Sequence, residues 1–158
     1  MALISYSACE IIKVAIEIEK NGYQFYTEAA KLTRSNSVAE LFQNLAREEI
    51  QHQTFFEGLA KLIPCKEVNG TNQPDEYLSA IADASIIQQK RGIKLVTEKR
   101  LTDQEALDFA VQVEKNAILY YTELLRFVTE KERGMVEELV AEEKKHLTNL
   151  ISIGKNLT

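Results

Sequence analysis

The stretch Glu48-Glu49-Ile50-Gln51-His52 decides how this chain folds, and a second version, Glu142-Glu143-Lys144-Lys145-His146, follows in the other half of the sequence. In each stretch, a glutamate and a histidine three residues apart share one face of a helix. A lone glutamate precedes each stretch by about thirty residues, Glu19 in the first half and Glu114 in the second. Each half therefore directs three metal-binding side chains toward one point.

The two halves match beyond these residues, so chance spacing is a poor explanation. The segment Ala15 to Asn21 aligns with Ala110 to Asn116, which keeps Ala, Glu, Lys and Asn in register. At the same offset, Tyr26-Thr27-Glu28 falls on Tyr121-Thr122-Glu123. Around the histidines the offset is one residue shorter. The chain is interpreted as a duplicated helical hairpin.

Apolar residues recur at three- and four-residue spacing in four segments, each centred on ligand candidates. The predicted helices run from about Ala8 to Leu32, about Val38 to Ile63, Asp103 to Thr129, and about Met135 to Ile153. The inward stripe of the first helix includes Tyr23. These patterns predict an all-α protein built from four long helices.

Three Ser/Thr-x-x-Glu capping boxes mark helix starts, at Ser7 to Glu10, Ser37 to Glu40 and Thr102 to Glu105. Gly134 is expected to separate the last two helices. Short connections inside each half indicate antiparallel hairpins.

The long stretch between the hairpins must cross over the bundle. The segment Pro64 to Pro74 is rich in turn residues and is predicted to be a surface loop. A weaker helical pattern from Tyr77 to Ile87 follows, interrupted by Arg91-Gly92. The predicted architecture is an antiparallel four-helix bundle with a long crossover, and residues 1–158 are expected to form one domain.

Composition excludes several classes of function. Hydrophobic residues make up 45% and charged residues 27%, with six Gly and two Pro, which favours a soluble helical protein. The net charge of −5 and the lack of a Lys/Arg-rich run argue against nucleic-acid binding. No signal peptide or apolar stretch long enough for a membrane is recognisable. With only Cys9 and Cys65, two reduced thiols and a cytoplasmic location are expected.

Each ligand candidate replaces an apolar residue in the middle of an inward stripe. Four buried carboxylates would cost several kcal/mol and repel one another unless a cation shared the interior. Two metal ions are the simplest compensation, and carboxylate with imidazole suits iron or manganese. The predicted metal ligands are Glu19, Glu49, His52, Glu114, Glu143 and His146. The alternative is a bundle whose Glu and His side chains satisfy one another.

Two further glutamates, Glu48 and Glu142, precede the ligand glutamates directly. They fall about 100° around the helix from the ligand face. They are predicted to be solvated or paired with Lys and Arg.

The pattern resembles the rubrerythrin and ferritin-like di-iron superfamily over nearly the whole chain. The rubrerythrin group shares the duplicated hairpin and a tyrosine seven residues after each lone glutamate, here Tyr26 and Tyr121. The resemblance implies that both tyrosines donate hydrogen bonds to ligands of the opposite hairpin. It also implies terminal carboxylates at Glu19 and Glu114, bridging carboxylates at Glu49 and Glu143, and one metal ion capped by each of His52 and His146.

The sequence departs from that group in two ways. Rubrerythrins carry another glutamate three residues after the third helix's ligand, where this chain has Ala117. They also carry a rubredoxin domain with a four-cysteine iron site, for which two cysteines are too few. The resemblance therefore implies a symmetric six-ligand site and an external electron donor, such as a rubredoxin-like protein.

The expected function is reduction of hydrogen peroxide or dioxygen at a site with two iron ions, manganese being possible. Three alternatives remain open: a ferroxidase coupled to iron storage, a di-manganese catalase, and a non-enzymatic metal-binding bundle. A homodimer is expected, because a long crossover can let hairpins exchange between protomers.

Overall fold

The computed structural model describes residues 8–63 and 76–157. These residues form five α-helices and no β-strand: α1 (Ala8–Leu32), α2 (Asn36–Leu62), α3 (Glu76–Thr97), α4 (Asp103–Leu124) and α5 (Glu130–Leu157). The all-α class predicted from the sequence is confirmed. The four predicted helices correspond to α1, α2, α4 and α5, and α3 belongs to the crossover.

The four long helices form a bundle of two antiparallel hairpins. In the described part of the chain, α1 packs on α2 and α4 on α5, while α1 also contacts α4 and α2 contacts α5. The crossover helix α3 packs on α1 and α4. It therefore covers the groove between those two helices.

Two apolar clusters lie on either side of the bundle's middle. One joins the first half of α1 to the second half of α2 and includes Ile12, Phe56 and Tyr121. The other joins the second half of α1 to the first half of α2 and includes Phe25 and Phe42. Burying each large apolar side chain stabilises the fold by about 1.5 to 3 kcal/mol. The polar ligand positions lie between the clusters.

The buried face of α1 contains most of the predicted stripe but leaves out Tyr23 and extends beyond the stripe on one side. Tyr23, expected to face inward, is 39% exposed, whereas Ile18 and Phe25 are buried. The reason is α3, which packs on the Ile18 side: Gln89 Nε2 donates a hydrogen bond of 2.8 Å to the Ile18 carbonyl. Periodicity within α1 alone could not reveal that neighbour.

Two of the three predicted capping boxes can be compared with the structure. The box at Thr102 and Glu105 at the start of α4 is confirmed. The box at Ser37 is wrong, since Ser35 caps α2 and its side chain accepts from the N–H of Val38. The Ser35 N–H donates a hydrogen bond of 2.8 Å to Asp103 Oδ2 at the start of α4. This contact holds Ser35 in place, so the cap of α2 lies two residues before the predicted cap. The box at Ser7 lies outside the described residues.

The boundary between the last two helices differs from the prediction. Helix α4 ends at Leu124, before Thr129, and α5 begins at Glu130 rather than near Met135. The hydroxyl of Thr129 donates a bond of 2.6 Å to the Glu132 carboxylate, and its N–H donates one of 2.9 Å. These bonds start α5 early, so Gly134 lies inside the helix.

The crossover helix α3 is continuous where the sequence suggested an interruption. Gly92 lies within it, and a Cβ atom there would be only 2.5 Å from the ring of Phe109 on α4. The glycine thus permits close packing of two helices rather than breaking one. The predicted loop from Pro64 to Pro74 lies outside the described residues.

The expectation of two reduced thiols is wrong for Cys9, which is disulfide-bonded. A disulfide forms when the fold brings two cysteine sulfurs close together, and the number of cysteines in a sequence does not reveal that distance. Across residues 8–63 and 76–157, none of the helices combines the length and apolar character needed to cross a membrane.

Candidate metal centre

Six side chains from four helices converge between the two apolar clusters. They are Glu19 on α1, Glu49 and His52 on α2, Glu114 on α4, and Glu143 and His146 on α5. Each is buried, with at most 5% of its surface exposed. The sequence predicts these six residues as metal ligands, and the structure brings all of them together.

The ligand atoms form two overlapping groups of four. Glu19, Glu49, His52 and Glu143 make one group, and Glu49, Glu114, Glu143 and His146 make the other. Within each group, one ligand atom from every residue lies within 4.8 Å of the others. Glu49 and Glu143 belong to both groups. The arrangement suits two metal ions that share two glutamates, each ion having one further glutamate and one histidine.

Both histidines approach the carboxylates with Nδ1. His52 Nδ1 lies 2.8 Å from Glu143 Oε1 and 3.5 Å from Glu19 Oε2. His146 Nδ1 lies 3.0 Å from Glu143 Oε2 and 3.9 Å from Glu114 Oε2. The two imidazole rings stack with their centroids 5.5 Å apart. Glu143 therefore faces both histidines, one with each oxygen.

The second nitrogen of each histidine contacts a glutamate of the opposite hairpin. His52 Nε2 lies 2.9 Å from Glu142 Oε2, and His146 Nε2 contacts Glu48 Oε2. The prediction that Glu48 and Glu142 are solvated or paired with Lys and Arg is therefore wrong about their partners, although both side chains are about half exposed. A carboxylate on the outer nitrogen orients the ring and strengthens the inner nitrogen as a ligand.

The sequence contained a signal for these two contacts. Glu48 and Glu142 both stand directly before a ligand glutamate, so they are part of the duplicated motif. On its own helix, each of these glutamates points away from the ligand face. It reaches the site only because the histidine that it contacts lies on the facing helix. Only the packing of α2 against α5 brings each glutamate to the other helix's histidine.

Tyr26 and Tyr121 are fully buried, and each hydroxyl donates a hydrogen bond across the bundle. Tyr26 on α1 donates to Glu114 on α4, and Tyr121 on α4 donates to Glu19 on α1. Burial and the nearby carboxylates raise the pKa of both phenols, so the hydroxyls keep the protons that they donate. Each hairpin therefore orients a ligand of the other.

Electrostatics differ among the ligands. Burial raises the pKa of Glu49 well above its ordinary value, and the carboxylates of Glu19 and Glu143 raise it further. Burial and Glu143 likewise raise the pKa of Glu114. Burial would lower the pKa of His52, but the contacts with Glu143 and Glu19 outweigh it and raise the pKa to about 12. Without metal, protons on these groups reduce the negative charge of the site.

Glu143 differs in this respect from Glu49 and Glu114. Burial would raise its pKa, but the contacts with His146 and His52 prevail and lower it. The ionised form of Glu143 is therefore favoured, and it faces both imidazoles.

The atoms of the site fit a pair of transition-metal ions. Glu19 Oε2, Glu143 Oε1 and His52 Nδ1 are buried and contact only one another, as charged groups rather than through hydrogen bonds of good geometry. Buried polar atoms in proteins are nearly always paired, so these atoms lack a partner that a metal ion would supply. Carboxylate and imidazole ligands suit iron or manganese. Ala117 is buried in an apolar cluster and contributes no carboxylate, so six ligand residues define the site.

Solvent approaches the site on the side of His146. A surface cavity of about 310 Å³ is lined there by Glu48, Gln51, Glu142, Lys145, His146 and Asn149. Buried ligands thus lie close beneath an open, polar surface.

Comparison with known proteins agrees with this geometry. The family model described as Rubrerythrin matches residues 10–154 of the chain. A crystal structure from Thermotoga maritima, provisionally described as a ferritin-like diiron-carboxylate protein, is 25% identical with a TM-score of 0.75, and the match covers 98% of each chain. No curated protein sequence matches significantly. These matches confirm the resemblance and the ferritin-like bundle predicted from the sequence.

Proposed function

We propose, from the premise that this chain belongs to the rubrerythrin family, that its buried site holds two iron ions and reduces hydrogen peroxide or dioxygen. The observation that carries the proposal is the pair of overlapping ligand groups that share Glu49 and Glu143. Two metal ions about 3.5 to 4 Å apart can bind both oxygens of one substrate molecule. A site for one metal ion would need only one of these two groups of four residues.

Two ferrous ions held by the six residues would supply the two electrons needed to cleave the O–O bond of hydrogen peroxide, and two protons would complete two water molecules. The chain's own residues prepare the site for this chemistry. Glu48 and Glu142 hold the histidine rings from outside, and Tyr26 and Tyr121 hold the two lone glutamates. Ligands fixed in this way need little reorganisation during the reaction.

Each further turnover requires two electrons, which we expect from a separate protein such as a rubredoxin-like protein. A rubredoxin-type centre needs four cysteine thiolates, whereas this sequence has two cysteines, and Cys9 is in a disulfide. We expect the donor to bind a homodimer of this chain, in keeping with the long crossover.

The decisive experiment is an anaerobic titration with ferrous ion, followed by rapid mixing with hydrogen peroxide or dioxygen in separate runs. We expect two ferrous ions per chain and oxidation of both by one peroxide molecule, faster than free ferrous ion reacts. Glu49→Gln should lose stoichiometric binding. Glu40→Gln, on an exposed residue of the same helix, should behave as the unchanged protein.

The outcomes separate the alternatives. Binding of well under two irons per chain would falsify the dinuclear site. Two bound irons that neither oxidant oxidises quickly would favour a non-enzymatic metal-binding protein. Continued oxidation of added ferrous ion by dioxygen in a large cage, detected by light scattering, would favour ferroxidation with storage. Peroxide consumption without reductant by the manganese form would favour a catalase.

A further inference from the structure

Gly22 lies on α1, one turn after the ligand Glu19, and faces the carboxylate of Glu49. A Cβ atom placed on Gly22 would lie 2.4 Å from Glu49 Oε2 and 3.0 Å from its Cδ. Because ordinary contact begins near 3.4 Å, even a methyl group would push the carboxylate by about 1 Å. The carboxylate of Glu49 thus uses space that any other residue would fill.

Glycine is an unfavourable choice at this place in a helix. It loses more backbone freedom on folding than alanine does, and it offers no side chain for packing. Gly22 has no positive φ, and α1 continues to Leu32, so neither a turn nor a helix end requires it. In the alignment of the two halves its counterpart is Ala117. The close approach of Glu49 is the reason that remains.

The backbone of α1 next to Gly22 also contacts α3. Gln89 Nε2 donates a buried hydrogen bond of 2.8 Å to the carbonyl of Ile18. In an α-helix this carbonyl also accepts from the N–H four residues later, that of Gly22. A movement of α1 would disturb this contact, whereas the end of the flexible Glu49 side chain can shift at lower cost. The group that must yield is the carboxylate of Glu49.

We propose that Gly22 is a positioning residue whose missing side chain lets the Glu49 carboxylate withdraw from the centre of the site toward α1. Glu143 differs, because its two oxygens face the two histidines, and the counterpart of Gly22 in its half carries a methyl group. Bound metal ions would then have more room for an oxidant on the Glu49 side than on the Glu143 side. This inference rests on the proposed function.

The test compares Gly22→Ala with Gly58→Ala, using Co²⁺ as a spectroscopic probe under anaerobic conditions. A Cβ atom on Gly58, in α2, would meet nothing within 4 Å, so this variant controls for placing alanine in a helix. We expect Gly22→Ala to weaken binding of at least one Co²⁺ by about tenfold or more and to change the visible absorption. Gly58→Ala should change neither property.

A double variant shows whether the effect passes through Glu49. Aspartate is one methylene shorter, so Gly22→Ala combined with Glu49→Asp should recover much of the lost Co²⁺ affinity. Wild-type binding and absorption in Gly22→Ala would overturn the inference, as would a failure of Glu49→Asp to restore binding. If Gly22→Ala does not fold and Glu49→Asp does not repair it, the contact with Glu49 is not the cause and the inference fails.

The same proteins distinguish this inference from the proposed function. If the iron-loaded protein oxidises with neither peroxide nor dioxygen, the proposed function fails, while Co²⁺ binding still decides the role of Gly22. If Gly22→Ala reacts and binds Co²⁺ as the unchanged protein does, the role of Gly22 fails and the proposed function stands.

Discussion

The hairpin α1–α2 and the hairpin α4–α5 carry the same ligands at the same helical spacing, yet they treat their shared glutamates differently. Glu143, from the second hairpin, lies between the two histidines, and its pKa is lowered despite burial. Glu49, from the first, lies against Gly22, and its pKa is raised by burial and by Glu19 and Glu143. The duplication repeated the ligand residues, but the ionised form is favoured at Glu143 and disfavoured at Glu49. One shared glutamate contacts both histidines, and the other lies against the backbone of α1.

Replacing each shared glutamate in the metal-free protein should show the largest difference between the two hairpins. Glu143→Gln removes the buried, ionised carboxylate that contacts both histidines and should lower the free energy of unfolding by about 3 kcal/mol or more. Glu49→Gln should change it by less than about 1 kcal/mol, because the raised pKa of Glu49 favours its neutral form and glutamine is neutral with a similar shape. Urea denaturation at pH 7 measures both.

Glu138→Gln, an exposed change on α5, is the control for this pair and should have almost no effect. Equal losses in the two glutamate variants would show that the hairpins share the charge evenly.

Variants of Glu48 and Glu142, which contact the outer histidine nitrogens, test whether the two hairpins are equivalent at these contacts. Glu142→Gln removes the partner of His52 Nε2, and Glu48→Gln removes that of His146 Nε2. Each should weaken binding of one metal ion by about ten- to a hundredfold, measured by anaerobic ferrous titration. Similar losses in the two variants support the symmetry of the outer contacts. Unchanged affinity in both would mean that the contacts do not orient the rings.

The pH dependence of metal binding follows from the raised pKa values of Glu49, Glu114 and His52. Their raised pKa values favour the protonated forms in the metal-free protein, and a bound ion must displace those protons. Affinity should therefore rise with pH, by about tenfold or more for each pH unit. Calorimetry in buffers of different ionisation enthalpy counts the protons released. Release of no proton would contradict the assigned protonation.

The smallest effects are expected from the tyrosines. Tyr26→Phe and Tyr121→Phe each remove one hydrogen bond to a lone glutamate, which should lower metal affinity by about fivefold, or about 1 kcal/mol. Tyr26→Phe should also raise the pKa of Glu114, since this bond favours the ionised carboxylate. The same titrations measure both variants, and a loss in only one of them would extend the asymmetry of the hairpins to the lone glutamates.

The six ligand residues could be predicted because their pattern depends on short spacings along each helix. A glutamate and a histidine three residues apart share a helix face whatever the helix packs against, and the duplication showed that the pattern was no accident. The tyrosine contacts followed from the resemblance to a known family. The partners of Glu48 and Glu142 escaped prediction because each contact joins helices from different hairpins.

By itself, the sequence determined the helices, their pairing into hairpins and the six residues that meet in the middle of the bundle, since helical periodicity and short connections depend on neighbours along the chain. Only the tertiary structure decided that α3 runs unbroken through Gly92, that Cys9 is cross-linked, and that Gly22 gives room to Glu49. Those features depend on distances between segments far apart in sequence. No periodic pattern within one helix can encode them.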